Sequence, residues 1–177
     1  MKISQKVNQI EPSATLAISA RAKTMKKNGL NVLSFSAGEP DFDTPQCIKD
    51  AAKLAIDQGF TKYTPTSGII ELKEAICYKL NKENGLAYHP DEVIVSCGAK
   101  HSLFNAILTL CDTDDEVLLP VPFWVTYVEQ IRLAGGKPVF IHCDPKTLRI
   151  SWEDILSKIT NKTKLFILNN HSKPSGI

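Results

Sequence analysis

The chain lacks nearly every feature that announces a metal site, a membrane or a nucleic acid. Its five cysteines, Cys47, Cys77, Cys97, Cys111 and Cys143, form no Cys-x-x-Cys pair, and its four histidines take no metal-ligand spacing. Neither a zinc site nor a disulfide framework is expected from them. His142 and Cys143 adjoin on an expected strand and so face opposite sides of it. No apolar run approaches the ~18 residues of a membrane-spanning helix, and the N-terminus carries no apolar signal region. Lys and Arg number 21 against 19 acids, a net charge of +2, and they are scattered without a basic run. That excludes the electrostatic footprint of a nucleic-acid binder. There is no internal repeat, no low-complexity tract, and neither a Gly-x-Gly-x-x-Gly nor a Gly-Lys-Ser/Thr loop, so the common nucleotide-binding turns are missing. A reduced, cytoplasmic setting is what these absences leave.

What the sequence does contain is an alternation of strand and helix signals. At 177 residues and 43% hydrophobic it is long enough for one domain with its own core. The densest signal is residues 93–111. Val93, Ile94 and Val95 are a β-branched run that suits a strand buried on both faces of a parallel sheet. Gly98 breaks that pattern, and the apolar positions 103, 104, 107, 108 and 110 take the spacing of a buried helix face. The backbone amides of Gly98, Ala99 and Lys100 then lie near a helix N-terminus, where the dipole and the Lys100 charge favour an anion. The same residues also fit an ordinary strand-to-helix turn, and this segment alone leaves both readings open.

Residues 13–27 read as a helix capped by Ser13 and stopped at Asn28-Gly29. Its weak apolar stripe (Leu16, Ile18, Ala20, Met25) suits a peripheral element. A short strand is expected at 32–35. The loop that follows, to Pro45, is dense in turn residues; its Gly38 amide can approach a ligand, and a plain connection serves as well. Thr44 as cap and Pro45 at the first helical position open a helix to about Gln58. Residues 61–68 are irregular, with Tyr63 as either a binding residue or a surface contact. A second long helix spans 69–84, closed by Gly85. Farther on come a buried strand at 116–119, a helix at 124–134, a strand at 138–143, a capped helix at 151–159 and a strand at 164–169. The first of these strands ends in Pro120-Val121-Pro122-Phe123-Trp124, which either delivers Trp124 to the carboxyl edge of the sheet or buries it in the core. Strands and helices at these intervals mean right-handed crossovers and a parallel, doubly wound α/β sheet.

Eight blocks stand in a recognisable order and spacing: Pro12-Ser13-Ala14-Thr15, Ala37-Gly38-Glu39-Pro40-Asp41-Phe42-Asp43-Thr44-Pro45, Thr61-Lys62-Tyr63-Thr64, Glu83-Asn84-Gly85-Leu86, Gly98-Ala99-Lys100, Asp115-Glu116-Val117, Pro122-Phe123-Trp124-Val125 and Ala134-Gly135-Gly136. Over essentially its whole length the chain resembles the N-terminal half of the class I pyridoxal-phosphate-dependent aminotransferases of fold type I, in the aspartate aminotransferase branch of bacterial type. The resemblance implies the N-terminal part of a three-layer, mostly parallel, doubly wound large domain, truncated. It sets an N-terminal arm and small-domain segment at 1–40 and a partial cofactor-binding domain at 41–177, cut off after its fourth strand. It also implies that the strand at 93–96 sits at one sheet edge while the other three cluster at the opposite edge.

Further implications concern single residues. Gly98, Ala99 and Lys100 would form the cup for the phosphate of pyridoxal 5'-phosphate, and Trp124 would stack on its ring. Tyr63 would reach the phosphate of the partner subunit across a homodimer interface, and Gly38 would give its amide to the substrate α-carboxylate. Lys173 stands where the family carries an Asn that donates to the cofactor ring oxygen, a change of reach and geometry. The family's cofactor-bonding lysine has no counterpart in these residues, so no catalytic residue is assigned and the isolated chain is expected to be inactive. The implied substrates are an amino acid, aspartate or a similar one, and a 2-oxo acid. The alternative is a catalytically dead remnant or interaction module that docks on a full-length relative.

Overall fold

The computed structural model describes residues 2–172 together with 175 and 176. The chain divides into two compact units: the segment before Ala37 joins that from Leu103 onward, and Ala37–Ser102 forms the other.

The first unit holds the sheet. Strands β1 (Glu116–Val121), β2 (Lys137–His142) and β3 (Thr163–Phe166) are parallel, in the order β2-β1-β3. Val117, Leu118 and Leu119 are almost completely buried, as their continuous apolar run requires of a central strand in a parallel sheet. On one face Val117 and Leu119 pack with Ile107 and Cys111 of helix α5 (Ala99–Leu110 and the residue after it) and with Tyr127, Val128 and Ile131 of α6 (Thr126–Ala134). Helix α6 crosses from β1 to β2, and α7 (Trp152–Lys158) from β2 to β3. The two crossovers move in opposite directions across the sheet, so right-handed connections put their helices on opposite faces. Ser151 caps α7 by accepting from the Asp154 amide at 3.0 Å.

Pro120 shapes the sheet's upper edge. Leu118 accepts from the Ile167 amide at 3.0 Å, whereas Val121 accepts from Cys143 on the far side, so the even-numbered residues of β1 face β3. Pro120 faces that side without an N–H, and the β1–β3 pairing ends at Leu118 opposite Phe166. The β2 side is untouched, and β1 runs on to Val121 opposite His142, two residues past the end expected from sequence.

At the N-terminal end of this unit, α1 (Gln5–Asn8) precedes α2 (Ala14–Lys27), whose first turn is capped by the Ser13 hydroxyl as expected. The strand expected at 32–35 does not form. Phe35 is 93% exposed, and the local bonds run between hydroxyls, Ser19 to Ser36 at 2.7 Å and Ser34 to Ser36 at 3.0 Å.

The second unit contains α3 (Gln46–Asp57), α4 (Ile70–Asn84) and a short 3₁₀ turn, Pro90–Glu92. Not one of its residues is fully buried. Pro45, not Thr44, is the N-cap of α3: its ψ of 142° keeps it outside the helix, which leaves Thr44 one residue too far away to cap. The strand expected at 93–96 forms no ladder. Val93 is extended, but Ile94 is 73% exposed where two-sided burial was expected. A β-branched run fits a pleated surface only when neighbouring strands supply one.

Candidate functional site

The turn into α5 is built around Gly98, whose φ of +86° few side-chain-bearing residues adopt. Its carbonyl accepts from His101 at 3.0 Å and from Ser102 at 3.3 Å, which starts the helix. Its own N–H donates to the Ser96 carbonyl at 2.8 Å. An anion above this end would therefore take the Gly98 amide only by displacing that turn. The first turn of any helix leaves amides without an intrahelical carbonyl. Space is open there, since a Cβ on Gly98 would meet nothing within 4 Å. Ala99 and the exposed Lys100 occupy that first turn. A phosphate fits this arrangement: a helix N-terminus, room above it and a cation beside it.

His101 was missed by sequence reasoning. Its Nδ1 accepts from the Cys97 amide at 3.1 Å, so the side chain reaches back over the turn and fixes the approach to Gly98. The available signal was a polar residue on the first helical turn, four positions after an amide in need of an acceptor.

In the same unit, Tyr63 is fully exposed, at 108%. Its loop is tied down at the far end, where the Ser67 carbonyl accepts from the Val95 amide at 3.0 Å. Gly38 is exposed, and a Cβ there would meet nothing within 4 Å. Lys173 lies outside the described residues.

In the sheet unit, Trp124 is half-buried against the core and meets the Tyr127 ring edge-on, centroids 5.4 Å apart and planes at 86°. It lies before the first turn of α6, which starts at Thr126 and not at Trp124 as expected. Phe123 stacks on Phe140 at 5.3 Å. Phe123 also walls a cavity of about 330 Å³ with Leu119, Pro120, Cys143, Ile167 and Asn169. The cavity lies over the carboxyl ends of all three strands, the end at which open α/β sheets receive ligands. Burial pushes the Cys143 and Tyr127 protons to higher pKa. Cys143 is thus a neutral part of the wall and a poor nucleophile.

Among the described residues no group of His, Cys, Asp and Glu could hold a metal ion, and no helix is long and apolar enough to cross a membrane.

A parallel α/β sheet with a glycine-opened helix N-terminus is a frame that many families share. Comparison with known proteins narrows it. Residues 31–177 match the family of class I and II aminotransferases, and the chain belongs to that family. It is 44% identical to the aspartate aminotransferase of Bacillus subtilis (strain 168) over 178 residues, covering 100% of this chain and 45% of that protein. It is 48% identical to the aspartate/prephenate aminotransferase of Nitrosomonas europaea over 177 residues, covering 99% and 45%. Among solved structures, the aspartate aminotransferase of Thermus thermophilus with maleate matches at TM-score 0.95 and 40% identity, covering 98% of this chain and 46% of that one. That of Rhizobium meliloti matches at 0.92 and 44%, covering 99% and 44%. The chain thus spans a little under half the length of these relatives.

Proposed function

We propose that this chain supplies the phosphate end of a pyridoxal 5'-phosphate site for amino-group transfer from an amino acid, aspartate or a similar one, to a 2-oxo acid. The observation that carries the reading is the start of α5, where Gly98 at φ +86° opens the helix and Lys100 stands in its first turn. The identity to aspartate aminotransferases covers these residues. Bound pyridoxal phosphate supplies the electron sink that amino-group transfer requires.

The chain's own residues bind and orient. Ala99 and Lys100 hold the phosphate at the helix end, with Gly98 joining once its turn to Ser96 yields. Trp124 offers a flat apolar face to the cofactor ring, Tyr63 serves the phosphate of a partner subunit in a homodimer, and Gly38 gives its amide to the substrate carboxylate. Lys173 serves the ring oxygen. None of these residues bonds the cofactor carbon, so the 177 residues alone bind weakly and do not turn over. A cytoplasmic location fits this role.

Titration of the isotopically labelled chain with inorganic phosphate and with pyridoxal phosphate tests the reading. Saturable shifts at the Gly98, Ala99 and Lys100 amides are expected, weaker than about 1 μM, or roughly −8 kcal/mol. Lys100→Ala should abolish them. Silence at those amides up to millimolar ligand would remove the proposal. Borohydride reduction with pyridoxal phosphate present should label no single lysine stoichiometrically.

A second reading, an interaction module that docks on a full-length relative through the surface around Tyr63, is favoured by that residue's complete exposure and by the lack of any fully buried residue in 37–102. Co-purification with such a relative, lost on Tyr63→Ala, would support it.

A further inference from the structure

Within 37–102 one glycine differs from the rest. A Cβ added to Gly38, Gly59, Gly85 or Gly98 would meet nothing within 4 Å. A Cβ on Gly68 would lie 2.6 Å from Val95 Cγ2 and 2.9 Å from Val95 Cβ. Gly68 also has φ +104° and donates its N–H to the Pro65 carbonyl at 3.0 Å. Beside it, the Ser67 carbonyl accepts from the Val95 amide at 3.0 Å, and Lys73 Nζ donates to Ser67 Oγ at 3.3 Å. Val95 is partly buried by this contact, although Ile94 next to it is 73% exposed.

We propose that Gly68 is a positioning residue for the phosphate cup. It lets the loop that carries Tyr63 close onto the extended segment that leads into Gly98. The inference rests on the cofactor reading above. Ser67 lies four residues after Tyr63, and Val95 lies three before Gly98, about 10 Å of extended chain. The clip between them joins two groups with separate duties in that reading: the cup for the chain's own cofactor and the tyrosine offered to the partner's. A methyl group at residue 68 drives Val95 outward by about 1 Å before contact becomes ordinary. Displacements of that size in a positioned group cost on the order of a hundredfold in enzymes.

The test uses the full chain, isotopically labelled. In the unaltered protein the Val95 amide exchanges with solvent several-fold more slowly than those of Ile94 and Ser96. In Gly68→Ala that difference disappears, the Gly98, Ala99 and Lys100 amides shift without ligand, and inorganic phosphate binds the cup at least tenfold more weakly. Gly85→Ala is the control for ordinary left-handed strain at a site without contacts, φ +67°, and leaves Val95 exchange and the cup shifts unchanged; the greater strain of a side chain at φ +104° is held constant in the double variant. Gly68→Ala/Val95→Gly removes both contacting atoms and restores most of the cup's response. The proposal is overturned if Gly68→Ala leaves Val95 exchange and the cup shifts as they were, if Gly85→Ala produces the same loss, or if the double variant recovers nothing. A lack of phosphate response in the unaltered chain would strike the cofactor reading instead. The clip is still decided by Val95 exchange and the ligand-free shifts.

Discussion

The sheet from β1 to β3 and the segment 37–102 are both rich in apolar residues, and only one of them has a core. Val117, Leu118, Leu119, Ile131 and Ile141 are almost wholly buried, whereas no residue of 37–102 is. The difference is not one of hydrophobicity. Helix α3 has a pronounced apolar face and leaves Ile48, Leu54 and Ile56 more than half exposed. What separates the regions is the reach of their contacts. The strands of the sheet pair with neighbours brought from about 20 to 50 residues away, and α5 and α6 cover one face of it. In 37–102 the one long-range backbone bond of note is Val95 to Ser67. Helices without a surface to cover gain little, because most helical stability in proteins comes from packing an apolar face.

The largest expected difference lies in hydrogen exchange. Opening free energies range from about zero at weakly packed segments to the global value in core strands. The amides of β1 should exchange at least a hundredfold more slowly than those at 93–96, Val95 being the slowest of those four. Equal protection in both regions would erase the contrast and show that 37–102 has found a partner surface in solution.

Core truncation comes next. Ile131, with no exposed surface, packs against Val117 and Leu119; Ile131→Ala should cost about 2–5 kcal/mol in urea unfolding of the sheet. Ile56→Ala, at a residue 65% exposed on α3, should stay within about 0.5 kcal/mol. A larger loss at Ile56 would mean that α3 is covered after all. A smaller contrast is expected at a helix cap. Ser151→Ala removes the acceptor of the Asp154 amide and should cost about 1 kcal/mol, read as earlier melting of α7. The same unfolding curve without that shift would show that α7 does not melt with the sheet.

How much of this was readable follows from the same contrast. Wherever local signal and long-range pairing agree, as at 116–119 and at the Ser13 and Ser151 caps, sequence was a sufficient guide. The family blocks likewise led to the fold and to the turn at Gly98. At 93–96 the pattern was that of a buried strand, but a strand exists only if another segment offers it hydrogen bonds, and no local pattern reports that. Pro120 misled in the opposite direction. It reads as a strand end, yet its missing N–H faces only β3, and β1 continues along β2. The contact between Gly68 and Val95 joins residues 27 apart, so Ser67-Gly68 signals a turn in sequence while what the turn grips stays hidden.

The smallest expected effect is electrostatic and belongs to two turns at opposite ends of the sheet, one at Asp114 before β1 and one at Asp144 after β2. The Lys137 ammonium, hydrogen-bonded to Asp114 at 3.0 Å and adding its charge, holds that carboxyl below its ordinary value. Asp144 is held low by another means, chiefly the Thr147 amide at 2.7 Å, with the Thr147 hydroxyl and the Lys146 amide behind it. A carboxyl whose folded pKa lies below its unfolded value adds stability above the unfolded value, near about 3.9, and loses it as pH falls through the folded one. Both contributions therefore fade only below about pH 4, and both are small because the groups are open to solvent. Salt separates them. At about 1 M ionic strength the Debye length falls to roughly 3 Å, so the Asp114 midpoint should rise toward the ordinary value while that of Asp144, set by hydrogen bonds, moves less. Lys137→Ala should raise Asp114 alone. NMR titration of the two carboxyl groups decides the point: an Asp114 midpoint that ignores both salt and Lys137→Ala would mean that the ion pair does not hold the turn where β2 begins.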